Sequence, residues 1–113
     1  MTLNAILIDD EKHSNEMLEW LLKTYCPDVQ VVATCTSGEE GILAVTKHRP
    51  DIVFLDIEMP KMNGFDVLDN IRDKPFEIVF ITAYDTFAVR AFRYSAINYL
   101  LKPLDPEDMS ATI

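Results

Sequence analysis

The sequence predicts an α/β protein built on a parallel sheet with helices on both faces. Three observations carry that expectation. Apolar runs of strand length alternate with stretches of helical periodicity five times along the 113 residues. Such βα alternation specifies a parallel sheet with right-handed crossovers. One run, Ile52-Val53-Phe54-Leu55, is apolar without a break and enters Asp56 directly. Val53 and Phe54 then lie on opposite faces, so the strand is covered on both sides and is central. Four of the five runs end in a polar or charged residue, and ligands of open α/β sheets bind outside the carboxyl ends of the strands.

Ala5-Ile6-Leu7-Ile8 is the first strand, ending in Asp9-Asp10-Glu11. Met17, Leu18, Leu21, Leu22 and Tyr25 recur at the spacing of one helix face, and Pro27-Asp28 breaks that helix. Val29 to Cys35 is β-branched and reads as the second strand. Ser37 and Glu40 form a capping-box signature for the next helix. That helix ends near Lys47-His48-Arg49, where basic residues suit the negative end of the helix dipole, and Pro50 closes it.

The third strand is the run into Asp56. Lys61-Met62-Asn63-Gly64 is a turn in which Asn-Gly tolerates positive φ. Phe65, Leu68 and Ile71 mark a short helix, ended by Lys74-Pro75. Glu77 to Ile81 is the fourth strand, finishing at Thr82. Residues 85–94 are helical, with Phe87, Ala88, Ala91 and Phe92 on one face and Phe92 expected in the core. Asn98-Tyr99-Leu100-Leu101 is the fifth strand, finishing at Lys102-Pro103. Asp105-Pro106-Glu107 starts a last helix that stops, truncated, at Ile113.

Ten Lys and Arg against 19 Asp and Glu leave a net charge of −9, which disfavours direct binding to nucleic acid or to a membrane surface. No apolar run approaches the ~20 residues of a membrane span. Met1-Thr2-Leu3-Asn4 lacks the basic start and apolar core of a signal peptide, so a cytoplasmic location is expected. Cys26 and Cys35 have no metal or redox spacing and read as reduced, structural thiols. His13 and His48 are isolated and read as surface or packing residues.

If the second strand is an edge, the other four ends converge. They bring Asp9, Asp10, Asp56, Thr82 and Lys102 into one pocket. Three carboxylates raise one another's pKa. A divalent cation relieves this, and hard oxygen ligands favour Mg²⁺. Mg²⁺ brings phosphate. A phosphoryl group on one carboxylate would have its oxygens neutralised by metal, ammonium, hydroxyl and backbone N–H groups. Taken singly, each residue is equally a cap, a loop residue or a solvated surface group; the joint placement carries the reading.

Ile8-Asp9-Asp10-Glu11, Asp56-Ile57-Glu58-Met59-Pro60-Lys61-Met62-Asn63-Gly64, Thr82-Ala83 and Leu101-Lys102-Pro103 stand in one order and spacing. With them, the chain resembles the receiver domain of two-component response regulators over essentially its whole length, residues 1–113. The resemblance implies a flavodoxin-like, doubly wound sheet of order 2-1-3-4-5. It implies a phosphoacceptor rather than an enzyme acting on other molecules. Asp56 would take the phosphoryl group from a sensor histidine kinase. Asp10 and Asp56 would bind Mg²⁺, with Asp9 acting through water and the Glu58 carbonyl completing the protein ligands. Thr82 would bond the phosphoryl group, Tyr99 would turn inward as the aromatic switch, and Lys102 would pair with phosphoryl oxygens. The Lys102–Pro103 bond would be cis. Glu58 and Tyr84 would tune the lifetime of the aspartyl phosphate.

Residues 88–104 also resemble receivers of the LytTR class, in which a DNA-binding output domain follows. That would place the output domain beyond Ile113, and DNA would be a partner only through it. It would also make the face from the fourth helix across the fifth strand to the fifth helix a homodimer surface when the domain is phosphorylated. Two rivals fit less well. An aspartyl phosphatase would carry Asp-x-Asp where this chain has Asp56-Ile57-Glu58. A flavodoxin would not place Asp9-Asp10-Glu11 against a flavin phosphate. A receiver that signals by dimerisation without phosphorylation remains a third reading.

Overall fold

The computed structural model describes residues 2–112, with side chains to residue 109. Ten elements alternate: β1 (Leu3–Ile8), α1 (Lys12–Tyr25), β2 (Val29–Cys35), α2 (Gly38–His48), β3 (Ile52–Asp56), α3 (Gly64–Asp69), β4 (Glu77–Thr82), α4 (Ala88–Phe92), β5 (Asn98–Leu101) and α5 (Pro106–Thr112). The sheet order is β2-β1-β3-β4-β5, and all four pairings are parallel. This is the doubly wound, flavodoxin-like arrangement with β3 in the middle. The expectation that the last helix is cut at Ile113 lies outside the described residues.

The five residues of β3 are all buried. Val53 and Leu55 pack with Phe65, Leu68 and Phe80 beneath α2, α3 and α4. Ile52 and Phe54 pack with Leu18, Leu22 and Met109 beneath α1 and α5. Two apolar layers therefore clamp the central strand, and the chain enters Asp56 from a rigid base. On α1, Leu18, Leu21 and Leu22 are buried, whereas Met17 and Tyr25 are 46% and 44% exposed. The inward place one turn before Leu18 goes to Asn15, a polar residue.

Capping follows side-chain chemistry with one relocation. Ser37 accepts the Glu40 N–H at 3.2 Å, but the Glu40 carboxylate reaches Thr36 rather than the Ser37 N–H. The reciprocal box sits instead at α3. Asn63 Oδ1 accepts the Asp66 N–H at 2.9 Å, and Asp66 Oδ2 accepts the Asn63 N–H at 3.0 Å. Asp105 and Asp108 repeat it at α5.

The helix expected over 85–94 is α-helical only across Ala88–Phe92. At its ends the bonds tighten to i→i−3, as in Ala88 N–H to Asp85 and Tyr94 N–H to Ala91, and Ser95 leaves with φ of 58°. Five helical residues are marginal alone, so the contacts of α4 matter. The Arg90 guanidinium lies 4.2 Å over the Phe65 ring, Tyr94 stacks on the same ring, and the Tyr94 hydroxyl donates to Asp69 at 2.9 Å. Phe92, expected in the core, is 83% exposed, because Ala91 takes the inward position and its neighbour points about 100° away.

The turn after β3 also differs from expectation. Positive φ falls on Lys61, at 68°, and on no glycine. Gly64 is needed for space: a Cβ there would lie 2.6 Å from the Asp56 carbonyl oxygen. The first residue of α3 thus presses on the backbone that carries Asp56. Gly64→Ala is expected to cost about 1–3 kcal/mol, read as a lower urea midpoint at unchanged slope. An unaltered midpoint would show that the turn yields freely.

Candidate functional site

The parallel sheet delivers its carboxyl ends to one edge. Asp9 and Asp10 come from the β1–α1 turn, Asp56 from β3, Thr82 from β4 and Lys102 from the residue after β5. Asp56 pairs with Ile81, the residue before Thr82, and Thr82 pairs with Leu101, the residue before Lys102. Carboxylate oxygens of Asp9, Asp10 and Asp56 lie within 4.8 Å of one another. Asp9 and Asp56 are buried, Asp10 half-buried, and Thr82 wholly enclosed. β2 contributes a carbonyl: Cys35 O accepts the Asp9 N–H at 3.0 Å.

Lys102 Nζ lies 2.8 Å from Asp9 Oδ2, 3.8 Å from Glu11 Oε1 and 3.9 Å from Asp56 Oδ2. Asp9 Oδ1 accepts the Glu11 N–H at 2.9 Å, so each Asp9 oxygen already carries a bond. Burial is the first cause that pushes Asp56 up to about 8; the Asp9 charge adds to it, Lys102 opposes it, and Asp10 adds again through charge and hydrogen bonding. For Lys102, burial alone would lower the ammonium. The hydrogen bond to Asp9 and the charges of Asp56, Asp9 and Glu11 outweigh it, and the pKa stands raised. The set is all oxygen and net negative, which suits a hard divalent cation.

A second chain of bonds leaves the centre through β4. Lys102 N–H donates to the Thr82 carbonyl at 2.8 Å. Thr82 Oγ1 accepts the Tyr84 N–H at 3.2 Å, and the Tyr99 hydroxyl donates to the Tyr84 carbonyl. Tyr84 is half-exposed, and the Lys102–Pro103 bond is cis. Glu58 is exposed and borders a groove of about 400 Å³ with Met59, Phe87 and Arg90. Cys26 and Cys35 are buried free thiols, both raised by burial, Cys35 to about 11.

Sequence reasoning passed over three residues at the centre. Glu11 approaches Lys102, the Ser14 hydroxyl lies 3.5 Å from its Nζ, and Asn15 sits in the wall beside Asp9. Asn15 was detectable in principle, as a polar residue on the apolar stripe shared with Leu18 and Leu22.

The family model of the response regulator receiver domain matches residues 5–113. The chain belongs to that family. A response regulatory protein of Vibrio cholerae is 43% identical over 112 residues, covering 97% of this chain and 43% of that protein. The transcriptional regulatory protein BtsR of Escherichia coli is 38% identical over 113 residues, covering 98% and 46%. The crystal structure of the response regulatory domain of mrkE from Klebsiella pneumoniae matches with TM-score 0.87 at 29% identity, covering 97% and 92%. The chain spans less than half the length of these two curated relatives. Among the described residues no helix is long and apolar enough to cross a membrane.

The raised Asp56 makes a stability prediction. Between the ordinary carboxyl value, about 4, and about 8, the folded protein holds a proton that the unfolded chain has released. Stability in chelator therefore falls as pH rises through that window. Asp56→Asn removes the term. It should raise stability in chelator by at least about 1 kcal/mol at pH 8, with the gain fading toward pH 4. Thermal melts of both proteins across that range check it.

Proposed function

We propose that this receiver domain is a phosphoacceptor switch: a sensor histidine kinase transfers a phosphoryl group to Asp56. The observation that carries the reading is the setting of Asp56, a buried carboxylate at the end of the central strand, with two further aspartates within 4.8 Å and an ammonium 3.9 Å away. Asp10 and Asp56, with the Glu58 carbonyl, would hold Mg²⁺, and Asp9 would act through water. Bound there, Mg²⁺ would supply positive charge against a phosphoryl oxygen.

An Asp56 oxygen attacks phosphorus, the phosphorus–nitrogen bond of the phosphohistidine breaks, and the imidazole leaves. Lys102 gives up part of its pairing with Asp9 to meet a phosphoryl oxygen. The Thr82 hydroxyl donates to another. Turning Thr82 alters its bond with the Tyr84 N–H, and the Tyr84 carbonyl passes the change to Tyr99. The switch is a population shift whose size is set by the differential contacts of the phosphoryl group with the two states.

The exposed face of α4 and β5 fits a homodimer surface extending toward α5. Val89, Phe92, Ile97 and Leu101 are 76%, 83%, 48% and 45% exposed there, beside Arg90 and Arg93. Such an apolar patch rimmed by charge is characteristic of interaction sites. The output is inferred to be transcriptional, because BtsR bears that description. The likeness of residues 88–104 to LytTR receivers supports a LytTR-type DNA-binding domain as its form. This chain's own chemistry is confined to Asp56.

Intact mass after incubation with acetyl phosphate tests the reading. One phosphoryl adduct is expected in Mg²⁺, none in chelator and none in Asp56→Asn. Absence of an adduct under every condition would leave signalling by dimerisation without phosphorylation. Glu58 adds a negative side chain beside the incoming group. Glu58→Asn is therefore expected to change the dephosphorylation rate severalfold, and equal lifetimes would remove Glu58 from rate control.

A further inference from the structure

We infer that Asn15 is a positioning residue of the metal centre; the inference rests on the Mg²⁺ reading above. Asn15 is 3% exposed and shares the inward face of α1 with Leu18 and Leu22. A buried amide among leucines is unfavourable unless its bonds repay it. Asn15 Nδ2 donates to the Asp9 carbonyl at 3.1 Å and to the Cys35 carbonyl at 3.0 Å. Both partners are acceptors, so the nitrogen must face them. Its Oδ1 finds no partner among the described residues. A leucine would avoid that cost, so the amide stands there for the two bonds it donates.

Those bonds act on Asp10. The Asp9 carbonyl belongs to the Asp9–Asp10 peptide, and Asn15 fixes the plane of that peptide. The next peptide is fixed by Asp9 Oδ1 through the Glu11 N–H. The Asp9 N–H is fixed by Cys35 O, the same carbonyl that Asn15 holds. Asp10 therefore stands between two anchored peptides, which set the direction of its Cα–Cβ bond, and its carboxylate lies within 4.8 Å of that of Asp56. Asn15 thus ties the ends of β1 and β2 and the first turn of α1 into one support.

The test compares wild type, Asn15→Leu, Asn15→Ser and Leu21→Ala. Melts in chelator report folding, the Mg²⁺ dependence of Tm reports the Mg²⁺ dissociation constant, and acetyl phosphate at saturating Mg²⁺ reports the phosphorylation rate. Asn15→Leu is expected to weaken Mg²⁺ about tenfold, with the rate at saturation within about twofold of wild type. Asn15→Ser, too short to bridge both carbonyls, should weaken Mg²⁺ likewise and serves if the leucine variant does not fold. Leu21→Ala, a core loss on the same helix, should lower Tm in chelator while leaving the Mg²⁺ constant unchanged. A wild-type Mg²⁺ constant in a folded Asn15 variant overturns the inference. So does equal weakening in Leu21→Ala, or failure of both Asn15 variants to fold. Absence of any Mg²⁺ response in wild type fails the Mg²⁺ reading itself, and the inference with it.

Discussion

The structure depends on holding three carboxylates together where they repel. Nothing local favours the arrangement; Asp9, Asp10 and Asp56 meet because parallel strands with buried faces bring their ends to one edge. The apolar layers on either side of β3 supply the stabilisation that the cluster opposes. Lys102 offsets part of the repulsion, but its shortest contact is with Asp9, not Asp56. The phosphoacceptor candidate is thus less closely paired than Asp9; burial first, and then the Asp9 charge, push its carboxyl up to about 8. A buried carboxyl so placed gains from whatever further positive charge arrives.

The two aspartates of the β1–α1 turn divide the work. Asp9 is spent on structure: one oxygen holds the Glu11 N–H and the other holds Lys102 across the width of the sheet. Asp10 has its flanking peptides anchored while its own side chain stays half-buried. A residue committed in this way could support a cation through water, and Asp10, half-buried beside Asp56, could bind one. The distinction follows from the bonds each residue makes rather than from the shared residue type.

Much of this was legible in the sequence because it rests on long-range pattern. Apolar runs that end in Asp56, Thr82 and Lys102 give the strands, and alternation gives their parallel direction. What was not legible depends on contacts between elements. Gly64 reads as a turn glycine, yet its role is clearance from the Asp56 carbonyl, which only the docking of α3 on β3 creates. Phe92 reads as core on a helix wheel, but α4 is too short and too tightly wound at its ends for that wheel to apply. Asn15 looks like an interruption of an apolar stripe. Its partners, the carbonyls of Asp9 and Cys35, lie 6 and 20 residues away.

A change at Asp56 has few ways to leave the centre. β3 and β4 are packed on both faces and cannot shift by fractions of a residue, since packed cores are bistable rather than elastic. The bonded path runs through the β4–α4 connection, where Thr82 Oγ1, the Tyr84 backbone and the Tyr99 hydroxyl are linked in series. Next to it lies α4, five residues long, whose inward contacts are the buried Ala91 and the Arg90 guanidinium over the Phe65 ring. Its outer side carries Val89 and Phe92, the two most exposed large apolar residues on that face. A reorientation of Thr82 would thus be passed through bonded groups toward α4, whose outer side is apolar.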